Sequence, residues 1–180
     1  MWKPHAYEVT VEISTTQLVH CAVTQLCTQK HFKLTVVYGF NKAEARQPLW
    51  QELKLISQQT SDAWCVIGDF NAVLHPHDRI GGDDIQDIEV RGFVECINEC
   101  ELMSCVAISN RGHNGQRIWS RIDKAFTNMD WYTIYDYPHV EYMAEGLSDH
   151  SPLRIPFSRT LGSKHPLNIL ICGAKTAKCT

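Results

Sequence analysis

The chain has 180 residues, of which 44% are hydrophobic and 21% are charged, and this composition is typical of one globular domain. Its formal net charge of −3 gives no overall basic field for a polyanion, so nucleic-acid binding would have to use a local surface. No apolar run reaches the roughly 18 residues of a membrane-spanning helix, and the first residues lack the pattern of a signal peptide. Neither a membrane partner nor secretion is expected.

The eight cysteines are scattered irregularly, which favours free and mostly buried thiols over a disulfide framework. Cys96, Cys100 and Cys105 form the tightest group, with His113 beyond them. They lack the paired short spacing of zinc sites, so a zinc site is disfavoured.

The first part of the chain predicts a β meander. Val9, Val11 and Ile13 alternate with polar residues, which is the pattern of a strand with one buried face. Residues 18–23 and 32–38 are rich in β-branched and aromatic side chains and predict two further strands.

The middle of the chain predicts two amphipathic helices around a buried strand. The strand is the apolar run 64–67, and it ends in a polar loop. Apolar residues at helical spacing define one face of each helix; they are Leu49, Trp50, Leu53 and Ile56 in the first helix and Val90, Phe93, Val94 and Ile97 in the second. Residues 117–122 and 153–157 predict late strands. Because strands and helices interleave without strict alternation, we expect a layered α/β or α+β domain with a mixed sheet.

Two polar segments next to predicted strands carry candidate catalytic groups. Asp69 and Asn71 follow the buried strand, where open sheets place ligand-binding groups, although the same residues could form a local turn. Asp149 and His150 precede the strand at 153–157. A carboxylate is a hard ligand for Mg²⁺ and an imidazole can act near neutral pH, so the pair suits phosphodiester hydrolysis.

Four motifs occur in a fixed order, namely Tyr38-Gly39-Phe40-Asn41, Gly68-Asp69-Phe70-Asn71, Arg121-Ile122-Asp123 and Asp149-His150. In this order they resemble the endonuclease/exonuclease/phosphatase superfamily. The chain is most similar to the endonuclease domain of plant LINE-like (non-LTR) retrotransposons, from about residue 2 to about residue 157. Further segments carry that similarity: Gln17-Leu18-Val19-His20-Cys21, Arg46-Gln47-Pro48-Leu49-Trp50, Arg79-Ile80-Gly81-Gly82 and residues 117–126.

The resemblance implies roles for the site residues. Asp69 would orient the attacking water, Asn71 and Asn41 would hold the scissile phosphate, and Tyr38 would support the same region. Asp149 would belong to the metal shell, and Asp123 would fix the ring of His150, which contacts the phosphate or assists proton transfer. The side chains expected to converge at one edge of the sheet are Asp69, Asn71, Asp123, Asp149 and His150.

The resemblance also implies partners. The cofactor would be Mg²⁺, with Mn²⁺ as a substitute, and the substrate would be DNA in the nucleus. A reverse transcriptase domain would be the partner in a full-length element. Ser120 and Arg121 either contact the DNA backbone or form a solvated strand face.

Three other features are expected to have no catalytic role. His75 and His77 are expected to be exposed loop residues rather than metal ligands. Packing is favoured over base stacking for the tyrosine cluster, which comprises Tyr132, Tyr135, Tyr137 and Tyr142.

The sequence departs from the family at both ends. The family's opening strands, with an Asn and a metal-binding Glu, cannot be placed here, so we expect a partial domain at 1–157 that lacks its first strands. Residues 158–180 are expected to be a divergent tail, shifted in reading frame or disordered. With too few carboxylates, Mg²⁺ would be weakly bound or absent and catalysis impaired. The alternative is a non-catalytic relic or a module that binds nucleic acid or protein and keeps only the fold.

Overall fold

The computed structural model describes residues 5–75, 78–80, 87–108, 119–120, 122–135, 139–142, 153–157 and 167–171. Its strands are β1 (Tyr7–Ser14), β2 (Leu18–Gln25), β3 (Lys30–Tyr38), β4 (Trp64–Asp69), β5 (Arg79–Ile80), β6 (Met103–Ser104), β7 (Val106–Ile108), β8 (Trp119–Ser120), β9 (Asp123–Thr127), β10 (His139–Tyr142), β11 (Leu153–Phe157) and β12 (Leu167–Ile171). The helices are α1 (Gln47–Gln59), preceded by a 3₁₀ turn (Glu44–Arg46), α2 (Asp87–Glu99) and α3 (Trp131–Ile134).

The strands form two main sheets. The larger has the order β1-β2-β3-β4-β9-β6, and the smaller has the order β12-β11-β10-β7, while β5 and β8 pair separately. β3 and β4 are parallel. The pairs β1–β2, β2–β3 and β4–β9 are antiparallel. The larger sheet is therefore mixed, as expected.

Helices α1 and α2 cover one face of the larger sheet. All four predicted core residues of α1 are buried, because their spacing places them on one side of the helix. Trp50 of α1 stacks on Phe93 of α2 with ring centroids 4.8 Å apart, and Phe70 stacks on Phe93 at 4.9 Å. These rings form the centre of the first hydrophobic cluster.

A second hydrophobic cluster fills the opposite face of the same sheet. It contains Cys65 and Ile67 of β4 together with Leu153 and Ile155 of β11, so the smaller sheet packs against this face. Every residue of β4 is buried, because the strand is covered on both sides.

Strand directions place the start of β11 at the edge where β4 ends. β6 and β4 both run antiparallel to β9, so they run the same way. β7 follows β6 after Cys105 alone, which is too short a connection to reverse the chain. β10 is parallel to β7 and β11 is antiparallel to β10, so β11 begins where β4 finishes.

One predicted strand needs correction and another is described only in part. β1 exists, but Val11 is 58% exposed, and the register with β2 shifts between Val11 and Ile13, so Val9 packs against the second cluster and Ile13 against the first. Of the strand predicted at 117–122, β8 contains Trp119 and Ser120, and a separate strand, β9, begins at Asp123. Residues 117, 118 and 121 lie outside the described residues.

The segment beyond residue 157 contributes a strand. β12 pairs antiparallel with β11 along its whole length, from Leu167 opposite Phe157 to Ile171 opposite Leu153. The sequence analysis did not predict this strand, and the domain boundary at 157 stays a prediction.

The thiols behave as free residues. Six cysteines fall within the described residues, all of them free, and only Cys27 is exposed. The described part of the chain contains no group of three or more His, Cys, Asp or Glu residues that could hold a metal ion, and His113 lies outside it. In the same part of the chain, no helix has the length and apolar character needed to cross a membrane.

Candidate active site

Three predicted site residues form one row across the larger sheet. Tyr38 at the end of β3 is in register with Asp69 at the end of β4, and Asp69 is in register with Asp123 at the start of β9. Residues that pair directly on neighbouring strands carry their side chains on the same face. That face is the one covered by the smaller sheet, since Ile67 and Ala125 lie two positions away on the same strands and belong to the second hydrophobic cluster.

Asp69 and Asn71 are tied together by a tight turn. The Asn71 backbone N–H donates to Asp69 Oδ1 at 2.8 Å, and Asn71 Nδ2 donates to Asp69 Oδ2 at 3.2 Å. Asn71 has a φ of 46°, a left-handed conformation that asparagine tolerates better than most residues. The carboxylate is only 2% exposed, so its orientation is fixed by these bonds.

Phe70 anchors this turn in the core. Its side chain is fully buried and its ring packs against Phe93 and Phe126 on the helix-covered face. The Phe70 N–H donates to the Ile122 carbonyl at 2.9 Å, which joins the turn to the residue before Asp123. The structure thus shows the local turn that the sequence allowed, and a catalytic role for Asp69 and Asn71 stays a prediction.

The loop after β3 lies directly against this turn. The Gly39 N–H donates to the Asp69 carbonyl at 2.7 Å, and Asn71 Nδ2 donates to the Gly39 carbonyl at 2.8 Å. A Cβ on Gly39 would come within 2.5 Å of the Phe70 carbonyl oxygen, so this approach requires glycine. The glycine in the Tyr-Gly-x-Asn motif therefore has a steric reason.

Two buried polar side chains hold the backbone of the loop after β3 in place. Gln17 accepts from the Phe40 N–H through Oε1 at 2.9 Å and donates through Nε2 to the Ala45 carbonyl at 3.0 Å. Arg46 Nη1 donates to the carbonyls of Phe40 and Asn41 at 2.9 and 2.8 Å. Gln17 and Arg46 are 4% and 6% exposed, so the loop backbone is fixed by groups that have little access to water.

A buried ion pair supports the other side of the site. Lys124, next to Asp123 on β9, donates to Asp78 Oδ2 at 2.8 Å, and the same oxygen accepts from the N–H groups of Leu74 and His75. Burial by itself would raise the pKa of Asp78, but the Lys124 ammonium and the two backbone donors outweigh it and hold the pKa of this carboxyl below its ordinary value. The pair fixes the loop that follows Asn71 onto β9.

The remaining predicted site residues are only partly described. Asn41 is exposed in the loop after β3, and Ser120 belongs to β8, opposite Arg79 of β5, with its side chain outside the described residues. Arg121, Asp149 and His150 lie outside the described residues. β11, whose first residue Leu153 follows His150 closely in sequence, begins at the edge that carries Asp69.

The structure describes some of the histidines and tyrosines that were expected to have no catalytic role. His75 is exposed, as expected, while His77 lies outside. Tyr135 is 4% exposed and Tyr132 packs against the second cluster, which agrees with packing. The side chains of Tyr137 and Tyr142 lie outside the described residues.

Gln17 and Arg46 were not predicted to serve the site. Both belong to segments that resemble the family, but Gln17 acts on a loop that is 23 residues away in sequence, and Arg46 acts on the loop just before its own helix. A buried arginine before a helix and a buried glutamine before a strand become visible as clamps only when the backbone carbonyls are in place.

The carboxylates of Asp69 and Asp123 could bind a metal ion or orient a water molecule. Asp69 and Asp123 offer hard oxygen ligands of the kind Mg²⁺ prefers, and they are paired in register on the neighbouring strands β4 and β9. Both oxygens of Asp69 already accept bonds from Asn71, which suits a residue that positions water more than one that encloses a cation.

Comparisons with known proteins bear on the fold. No family model matches the chain, and no curated protein matches it in sequence. The endonuclease domain of TRAS1, a telomere-specific non-LTR retrotransposon, superimposes with a TM-score of 0.64 at 18% identity, covering 88% of this chain and 71% of that domain. The beta toxin of Staphylococcus aureus gives 0.52 at 13% identity, covering 77% of this chain and 56% of the toxin.

A functionally unknown conserved protein from Enterococcus faecalis V583 gives a TM-score of 0.51 at 16% identity, covering 78% of this chain and 55% of that protein. The chain thus spans little more than half the length of the last two structures. At these identities the likeness concerns the fold. The mixed sheet and its helices form a layered α/β fold like that of the TRAS1 endonuclease domain, and a layered fold with a mixed sheet is what the sequence predicted.

Proposed function

We propose that the chain carries the site of a metal-dependent phosphodiesterase that acts on DNA and derives from a retroelement. The observation that supports this most is the row of Tyr38, Asp69 and Asp123, with Asn71 bonded to Asp69 and the loop of Asn41 clamped beside it. These residue types were expected there from motifs far apart in sequence. The likeness to the TRAS1 endonuclease domain favours DNA as the substrate.

Each group has a definite task in this proposal. Asp69 holds and orients the attacking water, since its carboxylate is buried and fixed. Asn41, exposed at the rim, donates to a phosphate oxygen. Both N–H groups of the Asn71 amide are bonded within the protein, and the longer bond, to Asp69 Oδ2 at 3.2 Å, is the one a phosphate oxygen would replace.

Asp123, Asp149 and His150 complete the site by resemblance. Asp123 sets the tautomer of the His150 imidazole, which stabilises charge on the phosphorus or moves a proton. Mg²⁺, or Mn²⁺ in its place, would be held through Asp149 and would neutralise negative charge that develops on the phosphate. A nuclear location and a reverse transcriptase partner follow from this proposal and remain predictions.

Nicking of supercoiled plasmid by the purified chain, with Mg²⁺, Mn²⁺ or EDTA, tests the proposal. We expect weak, metal-dependent nicking, because the sequence predicts impaired catalysis. Asp69→Asn should reduce the rate by about a hundredfold or more, since the carboxylate that orients water is lost. Asp62→Asn, an exposed aspartate before the opposite end of β4, is the matched control and should change nothing.

The results separate the alternatives. Nicking that survives in EDTA or in Asp69→Asn contradicts the proposed site. DNA binding without any nicking, at high protein concentration and in both metals, supports the non-catalytic alternative, in which only the fold and a binding surface remain.

A further inference from the structure

Two aromatic side chains stand out at the site edge by their exposure. Tyr38 is 48% and Phe40 is 42% exposed. Among the described residues, every other Phe, Tyr or Trp side chain whose exposure is known is buried or half-buried. The exposed aromatic surface of this part of the molecule is therefore concentrated at the end of β3 and in the loop that follows it, beside the Asp69 turn.

The Phe40 backbone is held more firmly than an exposed loop residue requires. Its N–H donates to Gln17 and its carbonyl accepts from Arg46, and both partners are buried. Gly39, immediately before it, is bonded to Asp69. An exposed ring on a fixed backbone is suited to binding, because little conformational entropy remains to be lost when a ligand packs on it.

The groups around the ring indicate the ligand. Asn41 and Lys42 follow Phe40 and are exposed, so an amide and an ammonium group are available for a phosphate next to an aromatic face. A phosphate contact combined with an aromatic platform is the arrangement by which proteins bind single-stranded nucleic acid. A base inside a duplex is stacked on its neighbours, so its face is open to a protein ring only when it is unpaired.

We infer that Phe40, assisted by Tyr38, stacks on an unpaired nucleobase next to the scissile phosphate, so that single-stranded or locally unpaired DNA is the preferred substrate of this site. This inference rests on the proposed function, because it requires DNA phosphate at this edge. It goes further in assigning Phe40 as the residue that determines substrate preference.

Fluorescence anisotropy tests the preference with a labelled oligothymidylate, a fully paired duplex of the same length and a duplex with one bulged thymidine. Ca²⁺ replaces Mg²⁺ so that no strand is cut. The wild-type chain should bind the single strand and the bulged duplex more tightly than the paired duplex. Phe40→Ala should weaken binding to the first two ligands about tenfold, the usual effect of losing one base stack, and leave the paired duplex unchanged.

Two variants control the experiment. Phe40→Trp restores an aromatic face and should recover the preference for unpaired DNA. Leu55→Ala removes an apolar side chain of similar exposure, 56%, on the outer face of α1 and should leave all three affinities unchanged.

The inference and the proposed function fail in different ways. Equal effects of Phe40→Ala on paired and unpaired ligands, or no effect on either, overturn the stacking role while DNA binding by the chain stands. A chain that binds none of the three ligands contradicts both. Selective loss in Phe40→Ala together with recovery in Phe40→Trp supports the inference.

Discussion

Asn71 shows how one residue combines conformation and chemistry. Its left-handed backbone lets the N–H and the side-chain amide both reach Asp69, while the same amide bonds the Gly39 carbonyl. Glycine would accept this backbone conformation without strain but would lose the amide. Alanine would lose the amide and would also have a strained backbone. Strain and hydrogen bonding can therefore be separated by substitution.

We predict that Asn71→Ala is less stable than Asn71→Gly by about 1 kcal/mol, because only alanine has a Cβ that opposes a positive φ. Both variants should lose metal-dependent plasmid nicking, since both lack the amide next to Asp69. Urea denaturation measures the first effect and the plasmid assay the second. Equal stability of the two variants would show that the backbone at this position relaxes.

His20 belongs to a buried series of hydrogen-bonded side chains away from the candidate site. Its Nδ1 lies 2.8 Å from Thr35 Oγ1, and that hydroxyl accepts from Trp64 Nε1 at 2.8 Å. Burial lowers the pKa of His20 and outweighs the opposing effect of Glu12, with Lys33 also lowering the pKa. The folded state therefore binds the His20 proton less readily than the unfolded state.

This shift predicts a pH dependence of stability. As the pH falls below about 6.5, the ordinary pKa of histidine, the unfolded chain gains a proton that the folded chain resists, so the free energy of unfolding decreases. His20→Gln should remove part of that decrease between pH 7.5 and 5.5, measured by urea denaturation. His31→Gln, on the exposed side of β3, is the control. An identical pH profile in wild type and His20→Gln would contradict the assignment.

At the scale of the elements, the end of β4 depends on Gly68. Its φ is 151°, and a Cβ there would come within 2.0 Å of the Val37 carbonyl oxygen in the neighbouring strand β3. The glycine allows β3 and β4 to stay close just before Asp69, so the row of site residues depends on it.

Gly68→Ala is therefore expected to destabilise the fold by about 3 kcal/mol or more, through backbone strain and a clash with main-chain atoms that cannot move aside. Gly92→Ala is the matched control, because Gly92 lies in α2 and a Cβ there would meet the side chains of Gln47 and Trp50 at 3.5 Å, an ordinary contact distance. That variant should be stabilised by about 0.5–1 kcal/mol, as alanine is favoured over glycine in a helix. Thermal melts followed by circular dichroism compare the two.

Periodicity correctly predicted the elements in which the pattern of buried residues is regular along the whole length. The four apolar residues of α1 are all buried, the run at 64–67 became the central strand β4, and β11 has the predicted bounds 153–157. Periodicity failed in β1, because a bulge in the pairing with β2 puts Val9 and Ile13 on opposite faces and leaves no trace in the composition of the strand.

Part of the candidate site could be anticipated from the sequence, whereas its support could not. The resemblance placed Tyr38, Asp69 and Asp123 in one region, and their register puts them in one row across the larger sheet, while their roles stay predictions. The clamps Gln17 and Arg46 satisfy backbone carbonyls and N–H groups, which every residue has. The sequence therefore contains no signal for which loop they hold.

At the scale of the whole molecule, the candidate site is built on a strand that is enclosed on both faces. β4 lies between two hydrophobic clusters and two hydrogen-bonded neighbours, β3 and β9, so the position of Asp69 at its end is rigid. Groups held in this way need little rearrangement when a ligand binds.

The smaller sheet is the part of the molecule whose extent the sequence did not predict. β12 covers one side of β11, and β11 supplies Leu153 and Ile155 to the core beneath the site. Without β12, the backbone groups of β11 on that side lose their partners, and an unpaired apolar edge promotes association between chains. The segment beyond residue 157 should thus contribute to stability.

Two truncations test this last prediction. A chain ending after residue 160 lacks β12 and should lose about 2 kcal/mol or more, given a net value of about 0.5–1.5 kcal/mol for each hydrogen bond in the ladder. Its melting temperature should fall by about 5 °C, and a fraction should elute as aggregate in size-exclusion chromatography. A chain ending after Ile171 keeps β12 and should melt like the full chain. If the shorter chain melts like the full one, the pairing of β12 with β11 is not formed in solution, and the divergent-tail interpretation of residues 158–180 stands.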